Sequence, residues 1–200
     1  MSTSLYLITN TKLTGNETKK DWDLILEKLK QLNFETTSYT NANFETIKET
    51  GDWRYEFDGN EADGFPFHVE FLGPFAFFPS IYSNIGVIDT IYRYSVLYDF
   101  VYYGLDWFDS YRKNLYEIVK IMGGTEVIYL ADNICVKLSY YLDCMALENV
   151  AYEEIKQKMI EEMGLPITDY TKLNRQTFSY ETVNEFFLDD FADLKKGTKY

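Results

Sequence analysis

Arg54, Glu56, His68 and Glu70 are the residues best placed for chemistry in this 200-residue chain. They come from two alternating runs. Trp53, Tyr55 and Phe57 alternate with Arg54, Glu56 and Asp58, and Phe65, Phe67, Val69 and Phe71 alternate with Pro66, His68 and Glu70. Period-two alternation predicts half-buried strands. The polar stretch 59–64, with a glycine at each end, predicts a hairpin connection. Antiparallel pairing then puts the four polar residues on one face and the aromatic residues on the other. Two carboxylates and an imidazole could hold a divalent cation. They could also move a proton, because a carboxylate beside histidine raises the histidine pKa. The same pattern equally describes a solvated sheet face with cross-strand charge pairs. His68 is the single histidine, so no second imidazole supports a metal site.

Motifs of other catalytic chemistries are mostly absent. The chain has no G-x-x-x-x-G-K-[ST] loop and no G-x-G-x-x-G turn to cradle phosphates. It has no H-E-x-x-H, no C-x-x-C and no G-x-S-x-G elbow. Any Ser-His-Asp or Cys-His arrangement would have to use His68, and neither cysteine is near it in sequence. Asp132 follows the apolar run Val127–Ala131, a place where α/β enzymes often put a ligand-binding carboxylate. Asp132-Asn133 is also good turn chemistry, and the turn is the reading adopted. No catalytic residue, metal site or cofactor is assigned.

The acidic segments are more informative. Residues 45–70 hold Glu45, Glu49, Asp52, Glu56, Asp58, Glu61, Asp63 and Glu70 against only Lys48 and Arg54. This stretch carries nearly half of the chain's net charge of −13. Glu181, Glu185, Asp189, Asp190 and Asp193 form a second acidic segment, with Phe186, Phe187 and Phe191 between them. Aromatic anchors inside an acidic rim suit a basic protein partner, since rings supply contact area and charge speeds encounter. Strict alternation favours the plainer reading for the hairpin, in which rings face the core and acids face water. The net charge opposes nucleic acid, whose phosphates need lysine and arginine, and opposes anionic membranes.

The elements that must position these residues follow from periodicity. Leu5–Thr9 reads as a strand. Thr18 and Asp21 form a capping box ahead of a stripe of Trp22, Ile25, Leu26, Leu29 and Leu32, which predicts a helix ended by Asn33. Phe34–Tyr39 reads as the next strand, and 73–86 as irregular. Ile88, Ile91, Tyr92, Ser95, Tyr98 and Tyr102 keep helical spacing and predict a buried helix over 87–103. Asp106 caps a further helix with the stripe Phe108, Tyr111, Leu115, Ile118, Val119 and Met122, stopped by Gly123 and Gly124. Strands are expected at 126–130 and 134–141, and helices at 145–163 and 181–195. Gly164 and Pro166 end the first of these two helices. This mixture of hairpin strands and separate helices predicts an α+β fold. The expectation is a single domain over 1–200, with a mixed or antiparallel sheet packed against four to five helices and a hairpin near 53–72.

Aromatic residues make up 18% of the chain, enough for an ample core. The start, Met1 to Asn10, lacks a basic region followed by a long apolar one, and no run of about 18 apolar residues occurs. Cys135 and Cys144 have no metal-ligand spacing. A cytoplasmic protein with reduced, packed cysteines is therefore expected.

In size and composition the chain resembles small cytoplasmic bacterial immunity proteins, which neutralise toxins by binding them. The resemblance covers no motif and carries no residue over. The leading expectation is a non-enzymatic acidic protein-binding module, an inhibitor or immunity-like factor that occludes a basic partner with Glu56, Asp58, Glu61 and Asp63 near the contact. The first alternative is an enzyme of unfamiliar type using Glu56, His68 and Glu70, with a divalent metal. The second is a self-associating structural domain, a homodimer formed through exposed tyrosine and phenylalanine.

Overall fold

The computed structural model describes residues 4–13, 17–32, 38–40, 46–48, 54–57, 67–72, 77–82, 85–93, 106–131, 150–172 and 186–196. Nine strands fall within them: β1 (Ser4–Asn10), β2 (Ser38–Thr40), β3 (Thr46–Lys48), β4 (Arg54–Phe57), β5 (Phe67–Leu72), β6 (Phe77–Tyr82), β7 (Ile85–Arg93), β8 (Val127–Ala131) and β9 (Phe187–Asp189). The α-helices are α1 (Lys19–Lys30), α2 (Asp106–Ile121), α3 (Tyr152–Met163) and α4 (Ala192–Lys196). The main sheet is built from antiparallel pairs rather than parallel crossover units, and the fold is α+β.

Seven strands form one sheet in the order β4-β5-β6-β7-β1-β8-β9, with every adjacent pair antiparallel. β2 and β3 pair separately. β4 to β7 is a meander. The sheet is then extended by β1 against β7 and by β8 against the other side of β1. β1 is thus central, and its run of Leu7, Ile8 and Thr9 is buried on both faces.

The two faces are covered by different helices. Ile8, Ile128, Leu130 and Leu188 pack in one cluster with Tyr152, Ile155 and Met159 of α3. Strand alternation turns Tyr129 and Asp189 to the other face. There Arg112 of α2 reaches Asp189, and the buried stripe of α2 follows the predicted positions Phe108, Tyr111, Leu115, Ile118, Val119 and Met122. Two glycines allow this close approach. A Cβ on Gly124 would overlap the Asn10 carbonyl oxygen and lie 2.5 Å from Thr9 Oγ1, and one on Gly86 would lie 2.5 Å from Met122 Cε.

The three amphipathic stripes at 22–32, 108–122 and 150–163 are helices. Thr18 caps α1, and its backbone N–H donates to Asp21 Oδ2 at 3.0 Å, completing the capping box. Gly123 (φ +79°) and Gly164 (φ +89°) follow α2 and α3 in conformations that L side chains rarely adopt. Four expectations are corrected. Residues 87–93 are strand rather than helix, and 94–103 lie outside the described residues. Ile85, Gly86 and Ile88 are buried with Val87 half-buried, so apolar residues occupy both faces and mimic helical spacing. The β-branched content of Ile85, Val87, Ile88, Thr90 and Ile91 was the better guide. The stretch 73–86 is not irregular throughout, because it contains β6, proline included. The long helix ending at Met163 starts at Tyr152, after extended Ala151. In the described part of the last acidic segment, 186–196, 187–189 is strand and 192–196 is helix, because Phe186, Phe187 and Leu188 are buried in succession against both faces. The strand expected at 134–141 lies outside the described residues.

Candidate functional site

Backbone pairing places part of the predicted hairpin cluster. β4 and β5 pair antiparallel, with Arg54 opposite Leu72, Glu56 opposite Glu70 and Phe57 opposite Val69. His68 lies in β5 opposite Ser80 of β6. Glu56 and Glu70 are thus direct partners in one ladder, while His68 sits one same-face step along β5. Asp58, Glu61 and Asp63 lie outside the described residues, as does Asp132. Among residues whose side chains are described, no group of three or more His, Cys, Asp or Glu is placed to hold a metal ion. The hairpin side chains are not among them.

A different constellation is fully described. Arg112 sits on the buried stripe of α2 and is 3% exposed. Its Nε donates to Asp189 Oδ2 at 2.7 Å and its Nη2 to Asp189 Oδ1 at 2.8 Å. Its outer edge donates to Asp193, from Nη1 to Oδ2 at 3.0 Å and from Nη2 to Oδ1 at 2.9 Å. Two forked contacts on one guanidinium are the geometry that arginine supplies and lysine does not. The Tyr170 ring covers the guanidinium at 4.6 Å, and Tyr170 in turn packs edge-on against Phe108 and donates to Asp109 at 3.3 Å.

Electrostatics follow from this packing. Burial opposes the charge on Arg112, but its hydrogen bonds to Asp189 and Asp193 outweigh that and raise its pKa further. The hydrogen bonds from Arg112 hold the Asp193 carboxyl below its usual range. Tyr129 donates to Asp189 Oδ2 at 3.4 Å. Burial first, and then the Asp189 charge, push its phenol up. Arg112 and Tyr129 are both moved further from proton exchange near neutrality. The arrangement ties α2 to β9 and α4, and its chemistry is that of a saturated ion network.

A second junction locks β1 to the α2–β8 turn. Asn10 Oδ1 accepts the Thr125 N–H at 2.8 Å, Thr9 Oγ1 donates to the Glu126 carbonyl at 2.7 Å, and Thr11 Oγ1 donates to the Met122 carbonyl. Beside it, Lys156 and Glu126 form a half-buried ion pair at 2.5 Å. Tyr152, one helical turn before Lys156, has its phenol pushed up by burial and by Glu126.

The sequence reading missed the Arg112 network, although a signal was present. Arg112 falls between Tyr111 and Leu115 on an otherwise apolar stripe, and Asp189 falls between Leu188 and Phe191 in an aromatic run. A charge at a core position must be paired, and these two pair with each other. No family model matches the chain, no curated protein matches it, and no solved structure matches it.

Proposed function

We propose that the chain is a non-enzymatic acidic binding module that occludes a basic protein partner, with the surface centred on the β4–β5 hairpin and Glu56, Asp58, Glu61 and Asp63 near the contact. The observation that carries the reading is the pairing of Glu56 with Glu70 inside the stretch 45–70, which holds nearly half of the chain's net charge. Like charges directly opposite in a ladder are destabilising, and a partner's lysine or arginine would offset that cost. An acidic field also raises the rate of encounter with a basic surface.

The test is association kinetics against a basic partner captured from native lysate. The on-rate should fall as salt rises, because the Debye length shrinks from about 10 Å at 0.1 M to about 3 Å at 1 M. Replacing Glu56, Glu61 and Asp63 by lysine together should slow association while leaving folding stability nearly unchanged. An on-rate insensitive to salt and to charge reversal would reject the reading.

The same Glu56–Glu70 pairing favours one alternative, a divalent-metal site completed by His68. A rise in melting temperature with manganese or zinc, abolished by His68→Ala, would select it over the binding module.

A further inference from the structure

We infer that Phe186–Lys196 is a sprung latch that undocks from the sheet edge as one unit, with Arg112 as its catch. β9 is the outermost strand of the sheet and is three residues long. On one side it pairs with β8. On the other, Ile167 N–H donates to the Phe186 carbonyl and Leu188 N–H donates to the Ile167 carbonyl, each at 2.9 Å. The helix that follows has five residues, too few to hold itself together. The order of this segment therefore comes from what it touches elsewhere in the chain.

Lys195 Nζ donates to the Thr125 carbonyl at 2.9 Å, and the ionic contacts of the two halves converge on Arg112. All four Arg112 hydrogen bonds in the network go to Asp189 and Asp193, one from each half of the segment. Asp189 Oδ1 also accepts the Phe191 N–H at 3.0 Å, so the carboxylate held by Arg112 also fixes the turn between β9 and α4. That turn is strained. Phe191 has φ +54°, and among the described residues it is the one non-glycine with positive φ. A bulky residue stays in the left-handed region only where its surroundings over-determine it. Here the surroundings are the Asp189 carboxylate and the Tyr116 ring, 5.2 Å from the Phe191 ring.

Docking thus sets burial of Phe186, Phe187, Leu188 and Phe191 against backbone strain, and the ionic catch ties both halves to α2. Loosening the catch relaxes Phe191 and frees both halves together. Release uncovers the outer edge of β8, the Tyr129 ring that packs on Phe187 at 4.8 Å, and the Arg112 fork. Sub-global units can open below the free energy of global unfolding.

The test is native-state amide exchange on the full chain, read at Leu188 and Lys195, whose N–H groups donate to Ile167 and Phe191. In the unmodified protein these two amides should exchange together, at least about ten-fold faster than the amides of α2 and β1. Asp193→Asn removes charge from the exposed arm of the catch and should speed both a further several-fold, leaving α2 and β1 unchanged. Exchange of Leu188 and Lys195 at the rate of α2 would overturn the latch. So would an Asp193→Asn variant that accelerates all amides equally, or one that leaves the segment unaffected.

Discussion

Arg112 and Asp189 meet through two parallel hydrogen bonds of 2.7 and 2.8 Å, and each side chain is only 3% exposed. Removing one member of such a pair strands a charge away from water. Asp189→Ala should therefore lower unfolding stability by about 3–5 kcal/mol, measured by urea denaturation. Replacing both residues with apolar ones, Arg112→Met with Asp189→Leu, should cost less than the single change. A double variant weaker than Asp189→Ala would show that the pair contributes more than mutual compensation.

Asp193 gives the network its pH dependence. Its carboxyl is held low by hydrogen bonds from Arg112, with Asp189, Tyr129 and Tyr170 as other titratable groups around that cation and Asp109 beyond Tyr170. A group whose folded pKa is depressed contributes stability above its unfolded pKa of about 3.9. That contribution is lost as pH falls through the lower folded value. Asp193→Asn should thus be less stable than the unmodified protein at pH 6. The gap should narrow as pH falls below about 4, on comparison of melting temperatures across that range.

Gly124 and Gly164 should fail in different ways when changed to alanine. At Gly124 the new Cβ meets the Asn10 carbonyl and Thr9 Oγ1, and backbone must move, at a cost of about 1–3 kcal/mol. At Gly164 nothing lies within 4 Å of the new Cβ, and the cost comes from φ +89°, again about 1–3 kcal/mol. Amide chemical shifts separate the two. Gly124→Ala should perturb Thr9, Asn10 and Thr125, whereas Gly164→Ala should perturb only its neighbours in sequence.

Leu115 and Leu165 make a matched pair for the α2 face. Leu115 is fully buried and Leu165 is 83% exposed. Leu115→Ala should cost about 2–5 kcal/mol, and Leu165→Ala should stay within about 0.5 kcal/mol. A small effect at Leu115 would place the core on another face of the helix.

Legibility in the sequence depended on how many faces each element buries. α1, α2 and α3 bury one stripe each, so Ile25 and Leu29, or Leu115 and Met122, repeat at helical spacing and could be read directly. The β4–β5 hairpin was legible from its period-two alternation, and its strands pair antiparallel. β7 and β9 were not. Both are flanked by packed elements, so Ile88 follows Val87 and Leu188 follows Phe187 with no polar residue between. Continuous apolar runs carry no period. The Arg112 network was half legible, since a charge on an apolar stripe announces a partner but does not name it. Only the fold brings Asp189, 77 positions along the chain, to that point.

Pro79 gives the sheet a mechanical grain. The β5–β6 ladder pairs Phe67 with Ile81, His68 with Ser80 and Phe71 with Phe77, and it skips the positions around Pro79. Proline has no N–H to give, so the seam on that side is short of crosslinks, while β6 keeps an unbroken register with β7 from Phe77 to Tyr82. Tension reaching the hairpin would therefore part the β5–β6 line before the β6–β7 line. The acidic hairpin would peel away as a flap, and the β6-β7-β1-β8 block would remain whole.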